Sequence, residues 1–452
     1  MDDRGGGEEA GTDMRKLFIE TYGCQMNEAD SGIIASIMGK SGYELVEDPE
    51  DADIIVVNTC SVREHAEIRA IGRISQLAAL KKRKPKLVLC VSGCMAQRMK
   101  GRIHEIIPQV DVVAGPDSYK RLPELIEEAI SRRKGEGPAM DLKLRKDEVY
   151  SGIEPVQFDR VRAWVTVMRG CDRFCSFCIV PFVRGRERFV PFHEIMKELE
   201  RLARMGYKEV AFLGQTVNSY RYEDKDFADL LLAASEVEGI ERIRFTSPYP
   251  LFVTEKMIEA MRVSKKVCPH IHLPVQSASD KILSLMNRGY TIAQYEDVIN
   301  KLRDRIPGIA ITTDIIVGFP GEEEEDFLAT YDFMMRTRFD SAFIFKYSPR
   351  EGTRATILGD PVPEEEKLRR LKAVIELQER ISEEINKGSI GREVEVLVEC
   401  DAKKGEGKLF GRTPHFKSVV FSPGDKMISP GDIVEVRVTD ATSHTLLGVY
   451  GR

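Results

Sequence analysis

Residues 163–178 read AWVTVMRGCDRFCSFC. The first six form an apolar run rich in β-branched residues, the pattern of a buried strand. Directly after it stand Cys171, Cys175 and Cys178 in a C-x3-C-x2-C spacing. Three thiolates this close converge on one soft metal centre. Most iron–sulfur clusters take four cysteines, so a segment supplying three leaves one iron with an open position for a substrate. Structural zinc wants a fourth Cys or His nearby, and the closest histidine is His193.

Downstream the strand pattern recurs in EVAFLG (209–214), RIRFTS (242–247), HIHLPVQ (270–276), ITTDIIVG (311–318) and SAFIFKYS (341–348). Amphipathic helical patterns separate these runs, and a long charged helix follows at 364–387. Six βα units over 156–387 predict an open, partial (β/α)6 barrel. Sites in α/β folds lie at the carboxyl ends of the strands, where the first strand delivers its cysteines.

Upstream, KLFIETYG (16–23), ADIIVVN (52–58), KLVLCVSG (86–93) and VDVVAG (110–115) alternate with helical stretches, predicting a doubly wound α/β domain over 15–133. Cys24, Cys60 and Cys94 each follow the end of one of its first three strands. Adjacent parallel strands bring their carboxyl ends together, so three loops can present three thiolates to a second site. The plainer reading is three small buried cysteines. Cys90, Cys268 and Cys400 lack this placement and read as structural thiols.

A Gly/Lys/Pro stretch makes 134–155 a linker. From Gly388 to the last residue, 452, REVEVLVE (392–399), KLFGRT (408–413), SVVFS (418–422) and DIVEVRVTDAT (432–442) alternate apolar and polar residues. They predict a small antiparallel β-barrel of the oligonucleotide-binding style. The acidic, Gly-rich residues 1–14 cannot bury a core and are expected to be a disordered head.

The chain of 452 residues is 42% hydrophobic and 31% charged, ordinary for a globular protein of several domains. No apolar run reaches the roughly 18 residues of a membrane span, so a cytoplasmic protein is expected. There nine cysteines point to metal or catalysis rather than disulfides. The net charge of −6 argues against a polyanion, yet positive charge is concentrated beside the cysteines. Lys81 to Arg102 holds eight Lys/Arg and no acid, and Arg160 to Arg188 holds seven Arg against Asp172 and Glu187. Each run is also what a solvated helix face looks like; both together beside cysteines point to a polyanion site around them.

The stretches ETYGCQMN, NTCSVRE, GCMAQR, RGCDRFCSFCIVPFVRGRER, LGQTVNSY, HLPVQS, MNRGYT, TDIIVGFPGE and YSPREGT together resemble the MiaB-type tRNA methylthiotransferases, a branch of the radical S-adenosylmethionine (SAM) enzymes. The likeness runs from about residue 15 to 450 and includes a tail similar to a TRAM domain. It implies two [4Fe-4S] clusters. One, on Cys171, Cys175 and Cys178, binds and cleaves SAM; an auxiliary one, on Cys24, Cys60 and Cys94, delivers methylthio to carbon 2 of N6-isopentenyladenosine 37 in a tRNA anticodon stem-loop. It implies SAM contacts at Gly214, Gln215, Ser247, Gln276, Val317 and Gly318, although a glycine can equally answer a turn requirement. RNA contacts are implied at Lys81, Lys82, Arg83, Arg98, Arg184, Arg186, Arg188 and Arg412, with Phe410 or His415 stacking on bases. An electron donor of flavodoxin or ferredoxin type, a sulfur or cluster-repair donor, no membrane, and a monomer complete the expectation. The sequence GRTPHFKSVVF departs from the Asn-containing version usual in the tail. Rival readings are a sister enzyme acting on threonylcarbamoyladenosine or a ribosomal-protein aspartate, and a non-catalytic metal-cluster RNA-binding protein. The CQMN beginning at Cys24 favours the isopentenyladenosine branch.

Overall fold

The computed structural model describes residues 14–61, 64–132 and 135–451, apart from the side chains of 64–66. The expected disordered head therefore lies outside the described residues, except Met14. The chain divides into two compact units, Met1–Leu144 with Ile153–Val156, and Arg145–Gly152 with Gln157–Arg452.

The first unit is a six-stranded, all-parallel sheet in the order β2-β1-β3-β4-β5-β6. Its strands are β1 (Arg15–Thr21), β2 (Tyr43–Leu45), β3 (Ile54–Thr59), β4 (Val88–Gly93), β5 (Val112–Ala114) and β6 (Ala139–Asp141). The helices are α1 (Gln25–Lys40), α2 (Glu64–Ala78), α3 (Cys94–Met99), α4 (Arg102–Ile106) and α5 (Leu122–Ser131). β3 and β4 are buried at every position, as parallel strands covered on both faces must be. Alternate residues Ile55, Val57, Leu89 and Val91 join Ile74, Leu77 and Met95 in one core. The structure corrects the linker boundary, because β6 lies inside the stretch expected to be linker. β2 was not anticipated either; three-residue edge strands show no periodicity to read.

In the second unit the six expected barrel strands all form: β7 (Arg162–Thr166), β10 (Glu209–Leu213), β13 (Arg242–Phe245), β14 (His270–His272), β15 (Ala310–Val317) and β16 (Ser341–Lys346). They run parallel as two triplets, β13-β10-β7 and β14-β15-β16, and an Ile243–Val267 bridge extends the first triplet beyond β13. Between them lie the short pairs β8 (Met168–Arg169) with β9 (Arg188–Phe189), and β11 (Arg221–Tyr222) with β12 (Lys225–Asp226). The helices are α6 (Val180–Arg184), α7 (Phe192–Arg204), α8 (Phe227–Ser235), α9 (Glu255–Val263), α10 (Asp280–Leu285), α11 (Ile292–Arg305), α12 (Glu324–Thr337) and α13 (Glu364–Lys387). Their apolar faces meet the strands in one core that includes Phe212, Ile243, Ile311, Phe333 and Leu377.

The tail closes into a five-stranded barrel, β17-β18-β19-β21-β20, from β17 (Glu393–Asp401), β18 (Leu409–Arg412), β19 (Ser418–Ser422), β20 (Ile433–Ala441) and β21 (Thr445–Tyr450). It is not wholly antiparallel as expected: β19 and β21 pair in parallel, and that pairing closes the ring and removes its free edges. Among the described residues no helix is long and apolar enough to cross a membrane.

Two candidate cysteine-lined metal centres

The loop bearing Cys171, Cys175 and Cys178 leaves the carboxyl end of the first barrel strand and is gripped from three sides. Cys171 N donates to Gly185 O at 3.1 Å, and its Sγ lies 3.2 Å from Thr216 Oγ1, just past β10. Ser176 donates through N to Met286 O (2.9 Å) and through Oγ to Leu285 O (2.8 Å). Asn287 Nδ2 donates to Phe174 O at 3.0 Å. Ala355 N donates to Ser176 O at 2.7 Å. Arg288 Nη1 donates to Cys175 Sγ at 3.3 Å. Burial pushes the Cys171 thiol up and the Cys178 thiol up to about 12. Such thiols are inert alone and ionise when a bound cation offsets their desolvation.

In the first unit Cys24 caps α1, Cys60 follows β3, and Cys94 opens α3 after β4. β1, β3 and β4 are neighbours in register, with Thr21 opposite Asn58 and Thr59 opposite Gly93, so the three cysteine-bearing ends lie side by side. The approach is close: a Cβ on Gly23, at φ +149, would stand 2.6 Å from Cys60 Cβ. Buried side chains tie the loops together. Asn27 Nδ2 donates to Asn58 Oδ1 (3.2 Å) and Thr59 O (3.1 Å). Asn58 Nδ2 donates to Asn27 O (2.9 Å) and Ser31 Oγ (3.0 Å). Cys24 Sγ donates to Asn27 Oδ1 at 3.4 Å. Among the described residues the cysteines form no disulfide.

Among the described residues no three His, Cys, Asp or Glu close on a single ion. Each set offers three sulfurs and no nitrogen or oxygen ligand, a donor chemistry that suits an iron–sulfur cluster with one open iron better than a four-ligand structural zinc.

The chain matches the Radical SAM superfamily over residues 165–334, the uncharacterized protein family UPF0004 over 16–115, and the TRAM domain over 388–450. A tRNA-2-methylthio-N(6)-dimethylallyladenosine synthase of Porphyromonas gingivalis is 46% identical, covering 96% of this chain and 94% of the relative. Proteins of the same name from Chlorobium luteolum (44%; 96% and 97% covered) and a Thermoanaerobacter species (45%; 95% and 91%) are similar. The chain belongs to the tRNA-2-methylthio-N(6)-dimethylallyladenosine synthase family. Among solved structures, the radical SAM methyltransferase TsrM of Kitasatospora setae shares the fold at TM-score 0.55 and 15% identity, covering 73% of this chain and 72% of that one.

For a member of this family the SAM-site expectations fall at the strand ends. Gln215 and Gln276 each hold a buried Oε1 without a protein hydrogen bond, acceptors suited to an ammonium group. Ser247 and Gln276 have positive φ, +57 and +72, strain of the kind that collects at functional sites. Gly214 has a packing reason of its own, since a Cβ there would meet Met168 Cγ at 2.5 Å. Val317 is buried at the end of β15. Gly318, at φ +70, leaves no space for a Cβ against Lys367 Cγ at 2.4 Å.

The RNA expectations need correction. Arg184 and Arg188 are only 3% and 8% exposed, and Arg188 donates to the carbonyls of Arg145 and Arg184, so burial removes both from any RNA surface. Lys81 pairs with Asp111, and Arg98 pairs with Glu67 and donates to Ser61 Oγ. Arg412 pairs with Glu399 and lies against Phe416 at 5.0 Å, inside a seam with the (β/α)6 barrel. Lys82 is exposed, Arg83 is exposed with Glu50 as partner, and Arg186, 71% exposed, reaches Asp172. These three remain available to a phosphate. Cys90 and Cys268 are buried as expected of structural thiols, whereas Cys400 is exposed.

Sequence reading missed Thr216, Arg288, Asn27 and Asn58 as supports of the cysteines. All four stand inside stretches that carry the resemblance, but their contacts cross 31 to 113 positions and have no local signature.

Proposed function

We propose that the chain converts N6-isopentenyladenosine at position 37 of tRNA to its 2-methylthio derivative, using one SAM as radical source and another as methyl donor. Family membership at 43–46% identity over almost the whole chain supports this reading, and the two sets of three cysteines match its chemistry. Cys171, Cys175 and Cys178 hold one [4Fe-4S] cluster, and Cys24, Cys60 and Cys94 the other. When bound, the clusters supply the electron that cleaves SAM and the sulfur that is transferred, which no pKa-tuned side chain can do at an aromatic C–H.

The chain's own residues bind and orient. Gln215 and Gln276 present their unsatisfied amide oxygens to the ammonium of SAM, and Ser247, Val317 and Gly318 line the neighbouring strand ends. Exposed cations in each unit, Lys82 and Arg83 in the first and Arg186 in the second, are available to RNA phosphates, and the target base of an anticodon loop is already unpaired and costs little to extrude. The electron comes from a flavodoxin- or ferredoxin-type protein, and sulfur is restored by a separate donor.

Anaerobically reconstituted protein, given SAM, a reductant and an isopentenyl-bearing stem-loop, is expected to yield 5′-deoxyadenosine and the 2-methylthio nucleoside by mass spectrometry. Methylthiolation of a threonylcarbamoyl-bearing stem-loop instead, or zinc without turnover, overturns the reading.

A further inference from the structure

Arg288 stands in the turn after α10, and it is almost completely buried, at 6% exposure. All three of its guanidinium nitrogens are engaged. Nη1 donates to Cys175 Sγ at 3.3 Å, Nη2 to Pro274 O at 2.9 Å, and Nε to Tyr290 Oη at 3.0 Å. The rings of Tyr249 and Tyr290 lie 5.1 and 5.3 Å from its central carbon. No carboxylate is among these partners. A buried guanidinium cannot shed its proton, and a buried charge without a counter-charge is costly. The group placed to compensate it is the Cys175 sulfur, once that sulfur is a thiolate bound in an anionic cluster.

The arrangement is also asymmetric. Cys171 receives a hydroxyl neighbour, Thr216, while Cys175 receives a permanent positive charge. The turn that delivers Arg288 clamps the same loop through Met286 O, Leu285 O and Asn287, so the donor is held rigidly against its sulfur. Hydrogen bonds and positive charge at cluster sulfurs favour the reduced, more negative state and raise the reduction potential.

We propose that Arg288 is a positioning residue for the SAM-cleaving cluster: it fixes Cys175 and makes the cluster easier to reduce. The inference rests on the assignment of Cys171, Cys175 and Cys178 as the ligands of that cluster.

The test uses the full-length chain with Cys24, Cys60 and Cys94 replaced by Ala, so that one cluster remains, and compares it with the same chain carrying R288M, R288K or Y290F. Each is reconstituted anaerobically and titrated potentiometrically with electron paramagnetic resonance as readout. R288M is expected to reduce at a distinctly more negative potential than the parent, with R288K between them and Y290F shifted slightly in the same direction. If R288M fails to hold iron, R288K and Y290F decide the matter by the same ordering. Midpoints identical to the parent in every variant that holds a cluster overturn the role of Arg288. A parent without cluster iron instead overturns the ligand assignment on which it rests.

Discussion

The rings of His270 and Phe416 stack with centroids 5.1 Å apart and planes 21° from parallel, joining β14 of the (β/α)6 barrel to the turn before β19. Around them Arg244 donates to Thr413 O and Pro414 O, Arg242 donates to Arg412 O and pairs with Glu395, and Arg162 pairs with Glu399. The barrel residues in this seam stand at or near the amino-terminal ends of β7, β10, β13 and β14, opposite the strand ends that carry Cys171 and Gln215. The turn 413–417 therefore docks the tail against the barrel.

Phe416 holds this seam at φ +64, an uncommon conformation for a non-glycine residue. Phe416→Ala is expected to lower stability by about 1–2 kcal/mol, less than the roughly 3–5 of a fully buried phenylalanine, because the ring is 39% exposed. Thermal denaturation reads the loss, and limited proteolysis should find a new cut between α13 and β17. An unchanged melt with an intact junction refutes the docking role.

Glu209, buried completely, lies between Arg162 and Arg244. Burial pulls its carboxyl up, but the two guanidiniums overcome this and hold it below the ordinary carboxylate range. A carboxylate depressed in the folded state contributes stability above its unfolded pKa, near 4.3, and loses it as pH falls through the folded value. Glu209→Gln leaves buried charge uncompensated and should cost about 3–5 kcal/mol at pH 7. The deficit against the parent should hold down to about pH 4.3 and shrink only below it, as melts at successively lower pH will read. A deficit that does not change with pH contradicts the ionic account.

Removing the Asn58 carboxamide deprives Asn27 O of its side-chain donor and Asn27 Nδ2 of one of its two acceptors. Asn58→Ala should cost about 1–3 kcal/mol and, more specifically, release the iron held by the first unit while the Cys171 loop keeps its own. Iron counts and spectra of the purified variant check this; full retention of both clusters means that the asparagine pair is only packing.

Lys82 and Arg186 are the test of the RNA path. Deleting one phosphate-binding cation should lower the slope of log affinity against log salt by about 0.7–0.9, measured by stem-loop binding to Lys82→Ala and Arg186→Ala. Unchanged slopes in both variants would move the RNA elsewhere on the surface.

The six barrel strands, four of the five tail strands and the placement of each candidate cysteine just past a strand end were legible in order, because each depends on local information. A strand followed at once by C-x3-C-x2-C carries its site with it, and a buried parallel strand announces itself as a continuous apolar run. Short edge strands such as Ala139–Asp141 carried too little pattern to separate from a linker. Arg184 and Arg188 looked like surface charge because composition cannot distinguish a solvated guanidinium from a buried one. Which arginine reaches Cys175, which asparagines lock Cys24 to Cys60, and which face of the tail is spent on docking were decided only in three dimensions. Those relationships join residues up to 237 positions apart. Hydrogen bonds and charge act over a few ångströms of space, and chain connectivity alone does not say which distant groups will share them.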